Sequence, residues 1–542
     1  MNVIELFDDS VRRFADRPAL LYGPQGAERT VTFAALAEHS RRLAALFRSS
    51  GLQAGDAIAV FVPMSVQLYA IMAAALRLGL VVVFVEPGAW RDNIASCAHH
   101  LRLRGFVGTP AACLLRWFVP QLRAIPLAFA TARMLPGATP LGAASRHVPL
   151  DGWERCAPDS TATVTFTSGN TGRPKGVLRS HAVLAATQSA LQAALQAQPG
   201  ELAVPIIPLF VFSNLAAGAP SLLLDADLGK PAAAPAHRVA AQIRRLAPRS
   251  MLASPAFVDR LADWCLGADV RLPSLGRVFV GGAPVFPRVL DKLARIAPSA
   301  QIRSLYGATE AEPIAVMRYE DWSPALRNEA RAGRGIALGT PVAGVSVRIL
   351  PDGCGMPSRP PLPTADVGAT GEILVAGAHV STGYLGGEGD RDNTIYDGAV
   401  RWHRTGDAGT RDAAGRLWMV GRCGARIDDA HGAIHPLAVE AALSFVPDAP
   451  RAALVGWQSK RVLVLQADAG RGRDTLAPLL AAIPWAQIDQ IALVRRIPVD
   501  RRHNAKVDYR VLRQALEQGA AISRISVSGP AAGASKPTLD PP

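Results

Sequence analysis

The sequence predicts an α/β protein of more than one domain, on three observations. Helix-like and strand-like segments alternate through the first half, short β segments separated by Gly, Pro and Asp follow from about Gly339, and a compact α+β pattern follows Arg422. A length of 542 residues is far above the ~250–300 at which a single core usually divides. With 49% hydrophobic and 19% charged residues, the chain can fill large cores and is neither largely disordered nor collagen-like.

Each element has a local reason. Thr32 can cap a helix whose Phe33, Leu36, Leu43 and Phe47 share one face, ended by Gly51. Ala57–Val62 reads as the next strand. The apolar stretch Tyr69–Val85 contains Arg77 and Gly79, so it reads as a buried helix entering a buried strand and not as a membrane span. Helix–strand pairs recur at Ala241–Leu246 with Met251–Ala253, and at Val278–Val280 with Pro287–Ile296. Later β segments are Val345–Leu350, Gly371–Val375 and Leu417–Val420. After them come a helix near Pro436–Phe445 and strands near Ala452–Gly456 and Val462–Gln466. The Gly/Ala/Ser/Pro-rich end, residues 517–542, is expected to be disordered.

Lys+Arg 58 against Asp+Glu 44 gives a net charge of +14. No basic run is interleaved with aromatic residues, which argues against nucleic-acid binding. The six cysteines are scattered without a Cys-x-x-Cys pair, which argues against a zinc ribbon or a disulfide scaffold. The acidic start, Met1 to Asp9, is unlike a secretory leader, and a cytoplasmic protein is expected.

The strand-like Thr163–Phe166 runs into Thr167-Ser168-Gly169-Asn170-Thr171-Gly172-Arg173-Pro174-Lys175-Gly176. Hydroxyls and glycines in this order let N–H and O–H groups converge on phosphate oxygens, with Lys175 as a point charge. An ordinary Gly/Pro turn has the same composition, and the order is not that of a Walker loop. Lysine is scarce, at Lys175, Lys230, Lys292, Lys460, Lys506 and Lys536 alone.

The loop resembles the phosphate loop of the AMP-forming adenylating superfamily: acyl-CoA synthetases, peptide-synthetase adenylation domains and luciferases. Every fixed place of Thr-Ser-Gly-Thr-Thr-Gly-x-Pro-Lys-Gly matches except Asn170. Further segments follow in that family's order. The resemblance implies that Tyr306-Gly307-Ala308-Thr309-Glu310 stacks an aromatic ring on adenine, places Thr309 on the α-phosphate and offers Glu310 to Mg²⁺. A hard carboxylate beside phosphate oxygens suits that ion. Gly281-Gly282-Ala283-Pro284 resembles the segment against which adenine lies. Asp407, in Thr405-Gly406-Asp407, and Arg422 would take the ribose. Lys506 aligns with the mobile lysine that neutralises charge in adenylation.

The implied fold is a large N-terminal domain, 1–421, of two helix-flanked sheets and a distorted β-barrel, its β-rich part covering about 339–421. A small mobile C-terminal α+β lid, 422–516, would turn about Arg422–Ala425. The implied first reaction is attack of a carboxylate on the α-phosphorus of MgATP. ATP and Mg²⁺ are thus the expected cofactors, and a small carboxylic acid the expected partner. Phe210 and Phe212, in the apolar Pro208–Leu215 segment, are expected to wall the acid's pocket with Gly281 and Gly282.

The run Gly421-Arg422-Cys423-Gly424-Ala425-Arg426-Ile427-Asp428-Asp429-Ala430-His431-Gly432 departs from CoA ligases. Ala425 stands at the pivot and Asp428 replaces the usual Lys, which argues against CoA. With Asn504-Ala505-Lys506 and Phe84-Val85-Glu86-Pro87-Gly88, it resembles the bacterial olefin-pathway β-lactone synthetases. These close the adenylate of a β-hydroxy acid on its own hydroxyl. An acyl-CoA ligase, or a ligase loading a carrier protein, uses the same adenylate. A catalytically inactive nucleotide-binding scaffold is the reading from another class. Against it, Lys175, Glu310, Asp407 and Lys506 are all retained.

Overall fold

A computed structural model describes residues 1–84, 90–168, 174–227, 233–352, 361–467, 476–499 and 506–527. Among them, two large sheets and a small C-terminal sheet carry the architecture. The eight-stranded sheet centres on Ala57–Phe61, parallel to Val81–Phe84 and Leu103–Gly108. Val81–Phe84 is in turn parallel to Thr161–Ser168, the strand that leads to the hydroxyl-rich loop. In the fourteen-stranded sheet, Ser250–Ala253, Arg277–Gly281 and Gln301–Ala308 run parallel. Their apolar continuity fits strands covered on both faces.

Helices begin where hydroxyl residues satisfy the first free N–H groups. Thr32 Oγ1 accepts from Ala35 N at 3.2 Å to open Phe33–Ser49, and Ser65 and Ser180 do the same for Val66–Arg77 and His181–Leu195. Arg77 is fully buried in its otherwise apolar helix. It is tolerated because its guanidinium donates to Asp8 at 2.6 Å and to the Gly152 carbonyl at 2.7 Å. No helix among the described residues is long and apolar enough to cross a membrane.

The β-rich segment is built from Ile336–Pro341, Val345–Pro351, Gly371–Gly377, Val400–Arg411 and Leu417–Arg422. Ile336–Pro341 pairs antiparallel with Ala311–Arg318 on one side and Leu417–Arg422 on the other, so this segment continues the fourteen-stranded sheet. Gly339 makes that crossing feasible. It sits at φ +85°, and a Cβ there would collide with the Val316 carbonyl oxygen. Gly339→Ala is expected to cost at least about 2 kcal/mol in urea denaturation; an unchanged midpoint would contradict this packing.

After Leu417–Arg422 come the short turn Cys423–Ala425, the hairpin Ile427–Asp429 with Gly432–Ile434, and the helix Pro436–Leu443. Strands Ala452–Trp457, Lys460–Gln466 and Gln490–Val494 form the C-terminal sheet. Composition predicts a loss of order from residue 517. Instead Ser523–Ser526 pairs antiparallel with Gln490–Val494 as a fourth strand. Ile525, buried against the C-terminal core, supplies the reason. The helix Pro436–Leu443 packs on both sides: against Ala452–Trp457 of the C-terminal sheet, and against Leu417–Arg422 and Ala330–Arg334. Trp485 adds a second tie, its Nε1 donating to the Arg331 carbonyl at 3.1 Å.

Candidate active site

The site is assembled from strand ends of both large sheets and from the segment beyond Arg422. Tyr306 lies near the end of Gln301–Ala308, where its ring is buried and its hydroxyl donates to Asp407 at 2.8 Å. Asp407 faces Arg422 across the ladder between Val400–Arg411 and Leu417–Arg422, and accepts from its guanidinium at 2.6 Å. Register alone therefore brings the Asp and the Arg together. The adjacent charge of Asp407 helps hold Arg422 protonated, while burial first and that same charge second keep the Tyr306 phenol protonated. A carboxylate offers about four lone-pair sites, so Asp407 can accept from ribose hydroxyls as well.

These groups face a cavity of about 360 Å³ that Gly282, Ala283, Pro284, Gly307 and Lys506 also line. Gly282, at φ +87°, turns the chain just after the strand Arg277–Gly281. Gly281 itself sits against Leu305 in the neighbouring strand, where a Cβ would lie 3.0 Å from the carbonyl oxygen. Lys506 reaches the cavity from the segment just ahead of the helix Tyr509–Glu517. Eight sequence-predicted residues, from Gly282 to Lys506, thus meet in one space.

A second cluster lies at the phosphate-loop side. Thr167 and Lys175 are ladder partners between the antiparallel strands Thr161–Ser168 and Pro174–Ser180. Gly169, Thr171 and Gly172 lie outside the described residues, as do the side chain of Ser168 and the lactone-synthetase-like residues 85–88, 504 and 505. Thr309 and Glu310 occupy the turn between Gln301–Ala308 and Ala311–Arg318. Arg179, buried on the same strand as Lys175, donates from Nε to the Thr309 carbonyl at 3.0 Å and so clips one large sheet to the other. Tyr384 joins the cluster: its hydroxyl donates to Glu310 Oε1 at 2.8 Å, and Lys175 Nζ stands 5.9 Å from its ring centroid. Sequence reasoning alone does not single out Arg179 or Tyr384. Gly383-Tyr384 beside a run of Gly is the available signal.

Glu310 is one hard oxygen donor of this cluster, and Asp392 Oδ2 stands 4.0 Å from Lys175 Nζ. No group of three or more His, Cys, Asp or Glu among the described residues is placed to hold a metal ion. A carboxylate of this kind would suit Mg²⁺ as one oxygen ligand among several. Burial, reinforced by the charges of Glu372 and Asp407, pushes the Cys423 thiol up to about 12, so it is no nucleophile at neutral pH.

Phe210 and Phe212 do not line this cavity. The helix Pro208–Ala216 buries Phe210 among Leu191, Leu195, Leu252 and Phe279, and turns Phe212 toward the core of the first sheet.

The AMP-binding enzyme family matches residues 7–385. The chain is 31% identical over 504 residues to an olefin beta-lactone synthetase of Xanthomonas campestris, covering 88% of this chain and 89% of that one. Its likeness to a protein of the same description from Stenotrophomonas maltophilia is 32% over 502 residues, covering 88% and 90%. Among solved structures, an amide bond synthetase from Marinactinospora thermotolerans superposes with a TM-score of 0.78 at 23% identity, covering 94% of this chain and 99% of that one. An anthranilate CoA ligase in complex with anthranoyl-AMP gives 0.79 at 17%, covering 96% and 98%; these two establish the fold. On the family match and the two relatives, the chain belongs to the AMP-binding enzymes and is an AMP-forming ligase.

Proposed function

We propose that the protein adenylates a β-hydroxy acid and then closes the acyl-adenylate to a β-lactone. The observation that carries the adenylation step is the meeting of Tyr306, Asp407, Arg422 and Lys506, drawn from three distant parts of the chain, around one cavity. The likeness to two olefin beta-lactone synthetases over most of both chains supports the closure.

In the first step a carboxylate oxygen of the acid bonds to the α-phosphorus of ATP and pyrophosphate leaves. Tyr306 and Gly282–Pro284 hold the adenine, Asp407 and Arg422 the ribose, and Thr309 the α-phosphate. Thr167, Ser168, Gly169, Thr171, Gly172 and Lys175 hold the outgoing phosphates. Lys506 neutralises charge between carboxylate and phosphate as it accumulates. Glu310 would hold Mg²⁺, which supplies charge neutralisation on the phosphates. In the second step the β-hydroxyl oxygen bonds to the acyl carbon, AMP leaves with the acyl C–O electron pair, and the hydroxyl proton passes to the departing phosphate. The protein's task there is positional: hydroxyl and acyl carbon are held in line and water is kept out. Rotation of the C-terminal domain about Arg422–Ala425 admits substrate and releases product.

The test omits every thiol. Enzyme, MgATP and a panel of β-hydroxy fatty acids should yield a neutral product lighter than the acid by one water, with one AMP per product. Turnover that appears only when CoA or a pantetheine carrier is added would overturn lactone closure.

A further inference from the structure

The reaction above leaves one buried ionisable group on the cavity wall without a task. Glu440, on the helix Pro436–Leu443, lines the cavity yet is almost wholly removed from solvent. Burial pushes its carboxyl up to about 7, against the opposing pull of a Tyr509 hydrogen bond, the Arg451 charge and the Leu454 backbone N–H. A buried carboxyl is costly unless it is fully engaged. Its engagement with the C-terminal helix is the Tyr509 hydroxyl, which donates to Oε1 at 2.7 Å across 69 positions of sequence.

Tyr509 is the first residue of the helix Tyr509–Glu517 and stands three residues after Lys506. The intervening residues are fixed too. Val507 bridges Val499, Asp508 N donates to the Pro498 carbonyl at 3.0 Å, and the Asp508 side chain caps the helix by accepting from Val511 N at 3.0 Å. The helix that carries Glu440 also packs on Leu417–Arg422, the strand that ends in the ribose-facing Arg422. A continuous route therefore runs from that strand through Glu440 and Tyr509 to the stem of Lys506.

The geometry points to Glu440 and Tyr509 as positioning residues for Lys506: their hydrogen bond sets where the amine enters the cavity relative to the nucleotide. The inference rests on Lys506 being the adenylating lysine. A displaced amine lowers the rate while leaving both substrates bound, because its interaction is made in the transition state. An error of about 1 Å in such a group can cost on the order of a hundredfold.

The experiment is acid-dependent pyrophosphate–ATP exchange in the full chain, with the β-hydroxy fatty acid that the wild type exchanges fastest. Tyr509→Phe keeps the packed ring and removes only the donor. It should lower kcat by about tenfold or more, with KM for ATP and acid within about twofold. Glu440→Ala should do the same. Glu440→Gln keeps an acceptor oxygen for Tyr509 and should restore most of the rate. The Glu440→Ala/Tyr509→Phe double variant should be no slower than the worse single one, since both break one bond. Lys506→Ala separates the two ideas. If it exchanges normally, the lysine assignment fails. If it is slow while Tyr509→Phe keeps the wild-type kcat, or if Glu440→Gln is as slow as Glu440→Ala, the positioning role alone is overturned.

Discussion

Lys506→Ala should lower acid-dependent pyrophosphate–ATP exchange by about a hundredfold or more, with the Kd for ATP changed by no more than a few-fold. The asymmetry follows from placement. Lys506 stands exposed at the cavity wall, whereas Tyr306, Asp407 and Arg422 would engage the nucleotide from strands of the large body. On the proposed mechanism, binding would draw on those strands, and only the developing charge at the α-phosphorus would need the amine. Exchange kinetics and calorimetric titration with ATP read the two quantities separately. A variant that exchanges at the wild-type rate would remove the lysine from the mechanism.

Asp407→Ala should act on the opposite quantity. Asp407 is the shared acceptor of the Tyr306 hydroxyl and the Arg422 guanidinium. Without it the nucleotide would lose its ribose acceptor, and the Tyr306 hydroxyl and the Arg422 guanidinium would each lose one hydrogen bond. Hydrogen bonds involving a charged group contribute about 1.5–3 kcal/mol, so ATP affinity should fall by roughly ten- to a hundredfold. The thermal midpoint of the ligand-free protein should fall as well, since the largest favourable charge acting on Arg422 is removed. Asp407→Asn keeps one acceptor oxygen and should bind ATP better than Asp407→Ala. Equal, wild-type affinity in both variants would sink the ribose assignment.

Much of this is legible in the amino-acid order alone, because it is local. Thr32 states its cap within three residues, and the strand entering Thr167–Gly176 is an alternating Thr-Val-Thr-Phe run meeting a Gly-rich segment. The order of motifs from Thr167 to Lys506 identifies the chemistry even where the intervening fold is only sketched. Phe210 and Phe212 show where such reading stops. An apolar helix looks the same in sequence whether its faces line a pocket or fill the space between sheets, and here the flanking elements do the latter. Tyr384 with Glu310, Arg179 with Thr309, and Glu440 with Tyr509 are illegible for a different reason: each pairing is decided by topology over long separations. The strand beyond residue 516 escapes sequence reasoning because four residues near the end of a chain carry too little pattern to outweigh a polar, small-residue composition.

The strand Ile336–Pro341 hydrogen-bonds on both flanks, to Ala311–Arg318 and to Leu417–Arg422. The stretch that holds Asp407 is thus no detachable module. Cutting the chain ahead of residue 336 would part Ile336–Pro341 from Ala311–Arg318 and bare an adhesive rim on each fragment. Shuffling this portion between relatives therefore demands that donor and recipient agree on the seam as well as on the pocket.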